Sequence, residues 1–451
     1  MTRFAIDSSG PVPVDVQTRQ SVLPPPAPST LEESGLTLDM VVQLVLKALH
    51  FGGELTGHEL GARLALGFQV LEPAVDLLKA ERQCEITGGA MIGRASYRYR
   101  ITDAGRTRAA LFLEGNRYVG VAPVPVDQYR RYMSAFQQAA PRGVKRDRVG
   151  EAFSHLVLST RVLDELGPAV NAGHSMFVYG PPGNGKTVIS QAVAKLLTGE
   201  IAIPHALEVE GDIIRLFDPV NHEPVPQEDA GPALDAGLRR DARWVRCRRP
   251  TVVVGGELTL AALDLTFSEG AGLYRAPVQT SANGGVLVID DFGRQQSSPR
   301  DLLNRWIVPL DSRVDHLTLQ SGLKFELPFT ALIIFATNLK PEDLVDEAFL
   351  RRIQYKIFAE SPTVPGFIRI FQNYCDEVSV QFVQSMVERL LTDYFAPRQI
   401  ELRGCQPRDL INHALSLAEY QDRPRELTYE LLEAACAGYF VDDTEPPPVY
   451  A

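Results

Sequence analysis

The stretch from Met176 to Leu197, MFVYGPPGNGKTVISQAVAKLL, constrains this chain more than any other. Met176 to Tyr179 are apolar and read as a buried strand. The residues after Thr187 carry apolar side chains at helical spacing. Between them, Gly180, Gly185, Lys186 and Thr187 fit the spacing GxxxxGK(S/T). Glycines let such a loop turn its backbone N–H groups inward, where they meet phosphate oxygens. The lysine then reaches the β- and γ-phosphates, and the next hydroxyl reaches Mg²⁺. The N-terminus of the following helix adds a favourable dipole. Gly180, Pro181, Pro182, Gly183, Asn184, Gly185, Lys186 and Thr187 are therefore the expected cradle of ATP, with Thr187 also a metal ligand. The strand before and the helix after set the loop apart from a chance glycine-rich turn.

About a hundred residues later, four apolar residues, Val286 to Ile289, run into Asp290 and Asp291. A carboxylate at the end of a buried strand is the expected Mg²⁺-holding partner of a phosphate loop, which gives Asp290 its role. Asp291 would then polarise the attacking water. Strands and helices alternate over 151–360, which predicts a parallel α/β sheet. The segment 201–285 is longer than a minimal core needs. Within it, EVEGDIIRLFDP reads as a hairpin around Gly211.

The flanks differ. Residues 1–35, with LPPPAPST at 23–30, and residues 442–451 read as flexible tails by composition. Residues 36–118 spell three helices, a hairpin around a Gly-rich turn and a closing helix, with Thr56 as an N-cap. That order resembles a winged helix-turn-helix domain. Its third helix is acidic (Glu72, Asp76, Glu81), and its hairpin carries Arg94, Arg98 and Arg100. Residues 119–150 read as a linker, and 361–441, without strand runs, as a helical bundle. The run RRDARWVRCRRP, 239–250, packs six arginines around Trp244. Such a run can bind nucleic acid by charge and stacking, or form an intersubunit salt-bridge surface. The intersubunit reading is preferred in an acidic protein.

Net charge is −11, which argues against generalised binding to nucleic acid or anionic membrane. The five cysteines, Cys84, Cys247, Cys375, Cys405 and Cys436, are scattered and form no CxxC pair. Neither a disulfide framework nor a zinc site is expected. No apolar run approaches the roughly 20 residues of a membrane span, and the N-terminal residues have no apolar core of signal-peptide length. A cytoplasmic location without membrane insertion is the expectation.

Over about 150–440 the chain resembles the AAA+ ATPases. The resemblance implies an α/β phosphate-loop core with a helical lid, here preceded by the winged helix. It also implies further site residues. Asn338, closing the strand LIIFATN, matches the sensor that orients the lytic water. DEAFLRRIQYKI offers Arg352, with Arg351 as second choice, as the arginine that reaches a neighbouring subunit's γ-phosphate. GCQPRDLINHALSL supplies Arg408 as the lid's sensor arginine. The family usually has glutamate where Asp291 stands, which puts turnover in question but not binding. By resemblance to the MoxR-like and enhancer-binding branches, 255–277 is a candidate substrate loop. The strings LGPAVNAGHSMFVYGPPGNGKT and ANGGVLVIDDFGRQ resemble a bacterial family labelled as ATPases with chaperone activity, linked in some cases to Flp pilus assembly. The reading is a Mg²⁺-dependent ATPase that assembles into a ring, read as a hexamer, and remodels a protein client. The alternatives are a DNA-binding regulator acting through the winged helix, and a nucleotide-gated assembly switch with little hydrolysis.

Overall fold

Five strands form the central sheet. In spatial order they are Thr251–Val254, Val286–Ile289, Leu332–Thr337, Met176–Tyr179 and Tyr355–Phe358, all parallel. The computed structural model describes residues 23–89, 93–139, 143–226 and 239–440. Of the expected tails, 1–22 and 442–451 lie outside the described residues.

The three inner strands read as unbroken apolar runs because both of their faces are covered, whereas the edge strands Thr251–Val254 and Tyr355–Phe358 alternate buried and more exposed residues. Met176, Val178, Val286, Val288 and Ile334 pack on one side with Leu166 of helix Thr160–Ala172 and Ile189 of helix Lys186–Leu196. Phe177, Leu287, Ile289 and Phe335 pack on the other with Leu302 and Trp306 of helix Pro299–Ser312. Each such side chain contributes about 1.5–3 kcal/mol by leaving water. A parallel sheet delivers all its strand C-termini to one edge, and the loop 180–185, Asp290 and Asn338 emerge there.

The C-terminal helices Val364–Glu377, Gln384–Leu390, Gln406–Tyr420 and Tyr429–Tyr439 close on their own core, which includes Phe367, Phe371, Leu410 and Leu432. The N-terminal unit has helices Leu38–Gly52, Gly57–Leu64 and Phe68–Ala80, strands Cys84–Gly89 and Tyr97–Ile101, and a closing helix Asp103–Gly115. Thr56 caps its helix in a full capping box with Glu59. A short strand, Glu54–Thr56, pairs with Tyr97–Ile101 and makes the hairpin a three-stranded sheet, a pairing that three residues are too few to announce.

Several expectations need correction. The segment 119–150 is no linker. Val124–Pro125 pairs with Ala206–Val209, and helix Val126–Ala139 buries Tyr129, Tyr132, Met133 and Phe136. Those four follow i, i+3, i+4, i+7, a stripe legible in the sequence but masked by the charged pair Arg130–Arg131 within it. The long middle segment builds a second sheet. Its hairpin turns at Glu210 and Gly211, both at positive φ (49° and 90°), as hairpin turns prefer. Residues 255–277 are not a free loop. Thr266–Ser268 and Leu273–Arg275 form a hairpin on the edge of that sheet, with Tyr274 buried. Its tip rests on the N-terminal unit, where the Arg117 N–H donates to the Ala271 carbonyl at 2.9 Å.

The arginine run is only in part an outward face, with Arg239, Arg240 and Arg248 exposed. Trp244 and Arg243 are buried, and Arg249 donates to the Gly284 carbonyl over the ring of Phe136. Arg243 binds both oxygens of buried Asp241. It also donates to the Ser34 carbonyl (3.0 Å), the Pro123 carbonyl (3.2 Å) and Gln128 Oε1 (3.1 Å). The guanidinium thus joins the N-terminal unit to the core. The proline-rich stretch contributes as well. Composition predicts a flexible tail through residue 35, yet the Pro25 carbonyl accepts from Asp241 N–H (2.8 Å) and Thr30 caps helix Leu31–Ser34. An extended proline segment can pack wherever a partner supplies the donors. Arg243→Ala would leave Asp241 buried and unpaired. Thermal unfolding is expected to register a loss of about 3–5 kcal/mol, with Arg243→Lys recovering only part, since an ammonium lacks the planar fork.

Candidate active site

The loop after Tyr179 is held open by its glycines. Gly180, Gly183 and Gly185 have φ of 145°, 81° and 72°. A side chain at Gly180 would meet the Ala359 carbonyl at 2.6 Å, and one at Gly183 would meet Cys405 Sγ at 2.6 Å. Lys186 is buried, and its ammonium donates to the carbonyls of Gly180 (3.1 Å) and Pro181 (2.8 Å). Burial lowers its pKa from the ordinary lysine value. The carboxylates of Asp291 and Asp290 act against that, and the Arg403 guanidinium adds to it. The ammonium is folded back on its own loop.

Thr187 Oγ1 donates to Asp290 Oδ2 at 2.6 Å, across 103 residues of sequence. Two neighbouring hard oxygens, one of them charged, suit Mg²⁺, which takes one or two protein ligands and completes its shell with water and phosphate. Among the described residues no group of three or more His, Cys, Asp or Glu forms a protein-only metal cage.

Asp291 stands beside them in a left-handed backbone conformation, φ 48°. Asp and Asn tolerate that region better than longer side chains, because their short polar group bonds locally. This is a physical reason for aspartate here. Asn338 Nδ2 donates to Asp291 Oδ1 at 3.2 Å, so the two residues read as water-orienting are in contact. The neighbouring Thr337 is fully buried and donates to the Phe292 carbonyl, a structural bond. Gln295, which the motifs do not single out, donates to the carbonyls of Asp290 and Asp291 and holds the turn.

The arginines divide. Arg351 is 77% exposed and pairs with Glu347 one helical turn back. Arg352, 32% exposed, pairs with Asp311 at 2.7 Å. Arg408 is 61% exposed and paired with Asp409. In the C-terminal bundle the arginine that donates to the phosphate loop is Arg403, to the Pro182 carbonyl at 2.9 Å. It stands before its helix rather than in it, so a reading keyed to helix starts passes over it.

A family described as a domain of unknown function (DUF8689) matches residues 363–438, the C-terminal bundle. No curated protein matches the chain. Solved structures similar to it include the RuvB Holliday junction branch migration motor of Thermotoga maritima. That structure is 14% identical with a TM-score of 0.35, over 67% of this chain and 74% of that one. NtrX from Brucella abortus in complex with ATP is 13% identical with a TM-score of 0.37, over 70% of this chain and 61% of that one. NtrX in complex with ADP is 14% identical with a TM-score of 0.38, over 76% and 67%.

The backbone at Asp291 yields a test. Asp291→Asn is expected to leave the melting temperature unchanged, since asparagine accepts the left-handed conformation. Asp291→Glu is expected to cost about 0.5–1 kcal/mol, read by chemical denaturation.

Proposed function

We propose that this chain is a Mg²⁺-dependent ATP hydrolase of the AAA+ type, with the C-terminal bundle as lid and the N-terminal unit as a winged helix. One observation carries the proposal. Lys186, Thr187, Asp290, Asp291 and Asn338 meet at one edge of a parallel sheet, with Thr187 on Asp290 at 2.6 Å and Asn338 on Asp291 at 3.2 Å. Lys186 exchanges its two loop carbonyls for β- and γ-phosphate oxygens. Thr187 and Asp290 would hold Mg²⁺, which would supply positive charge against the phosphates. Asp291 orients the attacking water and Asn338 fixes that carboxylate. Positioning dominates this chemistry, so a shorter carboxylate serves if its water shifts with it.

The account of partners follows. An arginine from a neighbouring subunit completes the site, which makes activity depend on a ring, read as six subunits. Arg351 is the more accessible of the two candidates, because an exposed helical pair such as Arg351–Glu347 is weak, at about 0.3–0.5 kcal/mol. Arg352 would first have to leave Asp311. The client is a protein, recruited through the N-terminal unit in the cytoplasm. The DNA reading loses support because each hairpin arginine stands beside a carboxylate, so a phosphate arriving there meets negative charge as well as positive. Arg94 pairs with Glu72 and Asp76, Arg98 with Glu54, and Arg100 with Glu85. No helix among the described residues is long and apolar enough to cross a membrane.

Steady-state ATP hydrolysis against protein concentration, with mass read in ATP and in ADP, tests the proposal. Lys186→Ala is expected to abolish turnover, and Asp291→Asn to lower kcat about 10²–10⁴-fold. Loss of the arginine that acts in trans should cost about 10³-fold or more. The rate per subunit should rise with concentration. If wild type and Asp291→Asn hydrolyse equally slowly while ATP still drives assembly, the hydrolase reading fails and the nucleotide-gated switch replaces it.

A further inference from the structure

Asn184 belongs to the phosphate loop by sequence, yet its side chain points away from where a phosphate would lie. It is 8% exposed. Its Nδ2 donates to Ser361 Oγ (3.1 Å) and to the Ala359 carbonyl (3.4 Å), and its Oδ1 accepts from the Gly404 N–H (3.2 Å). The partners fix the orientation of the amide, because a carbonyl only accepts and a backbone N–H only donates. Residues 359–361 are where the chain leaves the sheet for the bundle, just before helix Val364–Glu377. Residues 403–405 are the bundle's other contact with the loop. There Arg403 donates to the Pro182 carbonyl and the Cys405 N–H donates to the Gly183 carbonyl at 2.8 Å. The outer face of the phosphate loop is thus hydrogen-bonded to the bundle at consecutive residues, while its inner face is free for phosphate.

We infer that Asn184 is a positioning residue that transmits occupancy of the phosphate loop to the C-terminal bundle. The inference rests on the nucleotide-binding reading above. One planar amide spans both the pivot of the bundle and the bundle's loop contact. Any reshaping of 182–185 around phosphate therefore changes the Asn184–Gly404 bond while the Asn184–Ser361 bond holds the pivot. No other side chain of similar size offers a donor and an acceptor on opposite ends of one group. Aspartate lacks the donor, and threonine offers a single hydroxyl.

The test is hydrogen–deuterium exchange of the full chain with and without Mg²⁺ and a non-hydrolysable ATP analogue, beside calorimetric affinity for the same analogue. In wild type the analogue is expected to change exchange across 401–410. In Asn184→Ala the Kd should rise less than about tenfold, the scale of one hydrogen bond, while the change across 401–410 shrinks to what the Arg403–Pro182 and Cys405–Gly183 bonds still carry. Ser361→Ala, outside the loop, should weaken that change with affinity unaltered. It also decides the matter if Asn184→Ala does not fold. An undiminished response in Asn184→Ala, or in Ser361→Ala when that variant must decide, overturns the inference. So does a wild type that binds the analogue without any change at 401–410. A wild type that does not bind the analogue overturns the proposed function, and this inference with it.

Discussion

The parallel pairing of Met176–Tyr179 between Leu332–Thr337 and Tyr355–Phe358 is the constraint on which the site depends. Thr337 and Phe358 both sit level with Tyr179, so Asn338, Ala359 and Gly180 leave the sheet together. The Gly180 N–H donates to the Thr337 carbonyl and the Ala359 N–H to the Tyr179 carbonyl. One strand further, Ile289 sits level with Phe335, which sets Asp290 and Asp291 beside the same edge. A slip of one residue in an inner strand would move each side chain to the opposite face, where it no longer fits its neighbours, so packing on both faces fixes the register. The chemistry inherits its geometry from apolar contacts.

The phosphate loop is legible in the sequence because its signal is local. Eight consecutive residues specify it, and the strand and helix beside it follow their own periods. Asp290 is legible for the same reason, as the end of an apolar run. The Gly211 hairpin also announces itself within a dozen residues. What stays hidden depends on partners distant in sequence. Arg243 looks like one charge among six until Ser34, Pro123 and Gln128 converge on it. Arg403 lies 221 residues from the carbonyl it binds. The docking of Pro25 on Asp241 reverses a compositional expectation, because disorder by composition assumes that no partner waits. The helix Val126–Ala139 is a different case. Its apolar stripe is present in the sequence, and neighbouring charge masks it.

Aspartate at 291, where the AAA+ resemblance implies glutamate, has a backbone reason. A turn held by Gln295 places residue 291 in the left-handed region, and there aspartate is the carboxylate that fits. The same turn brings Asp291 under Asn338. Conformation and chemistry are set by one local structure, so the shorter side chain is a property of this turn rather than a defect in the site. The N-terminal unit is tied in by comparable means. Ala206 and Ile213 of the second sheet belong to its hydrophobic core. That unit is thus joined to the sheet through packed side chains and the buried Arg243–Asp241 pair.

The most direct measurement is calorimetric binding of ATP to wild type and Asp290→Asn, each with and without Mg²⁺. The account predicts that Mg²⁺ tightens binding to wild type, and that Asp290→Asn keeps the metal-free affinity but loses that gain. Equal affinity with and without Mg²⁺ in wild type, or an undiminished gain in Asp290→Asn, would contradict the pairing of Thr187 and Asp290 as the metal edge of a nucleotide site.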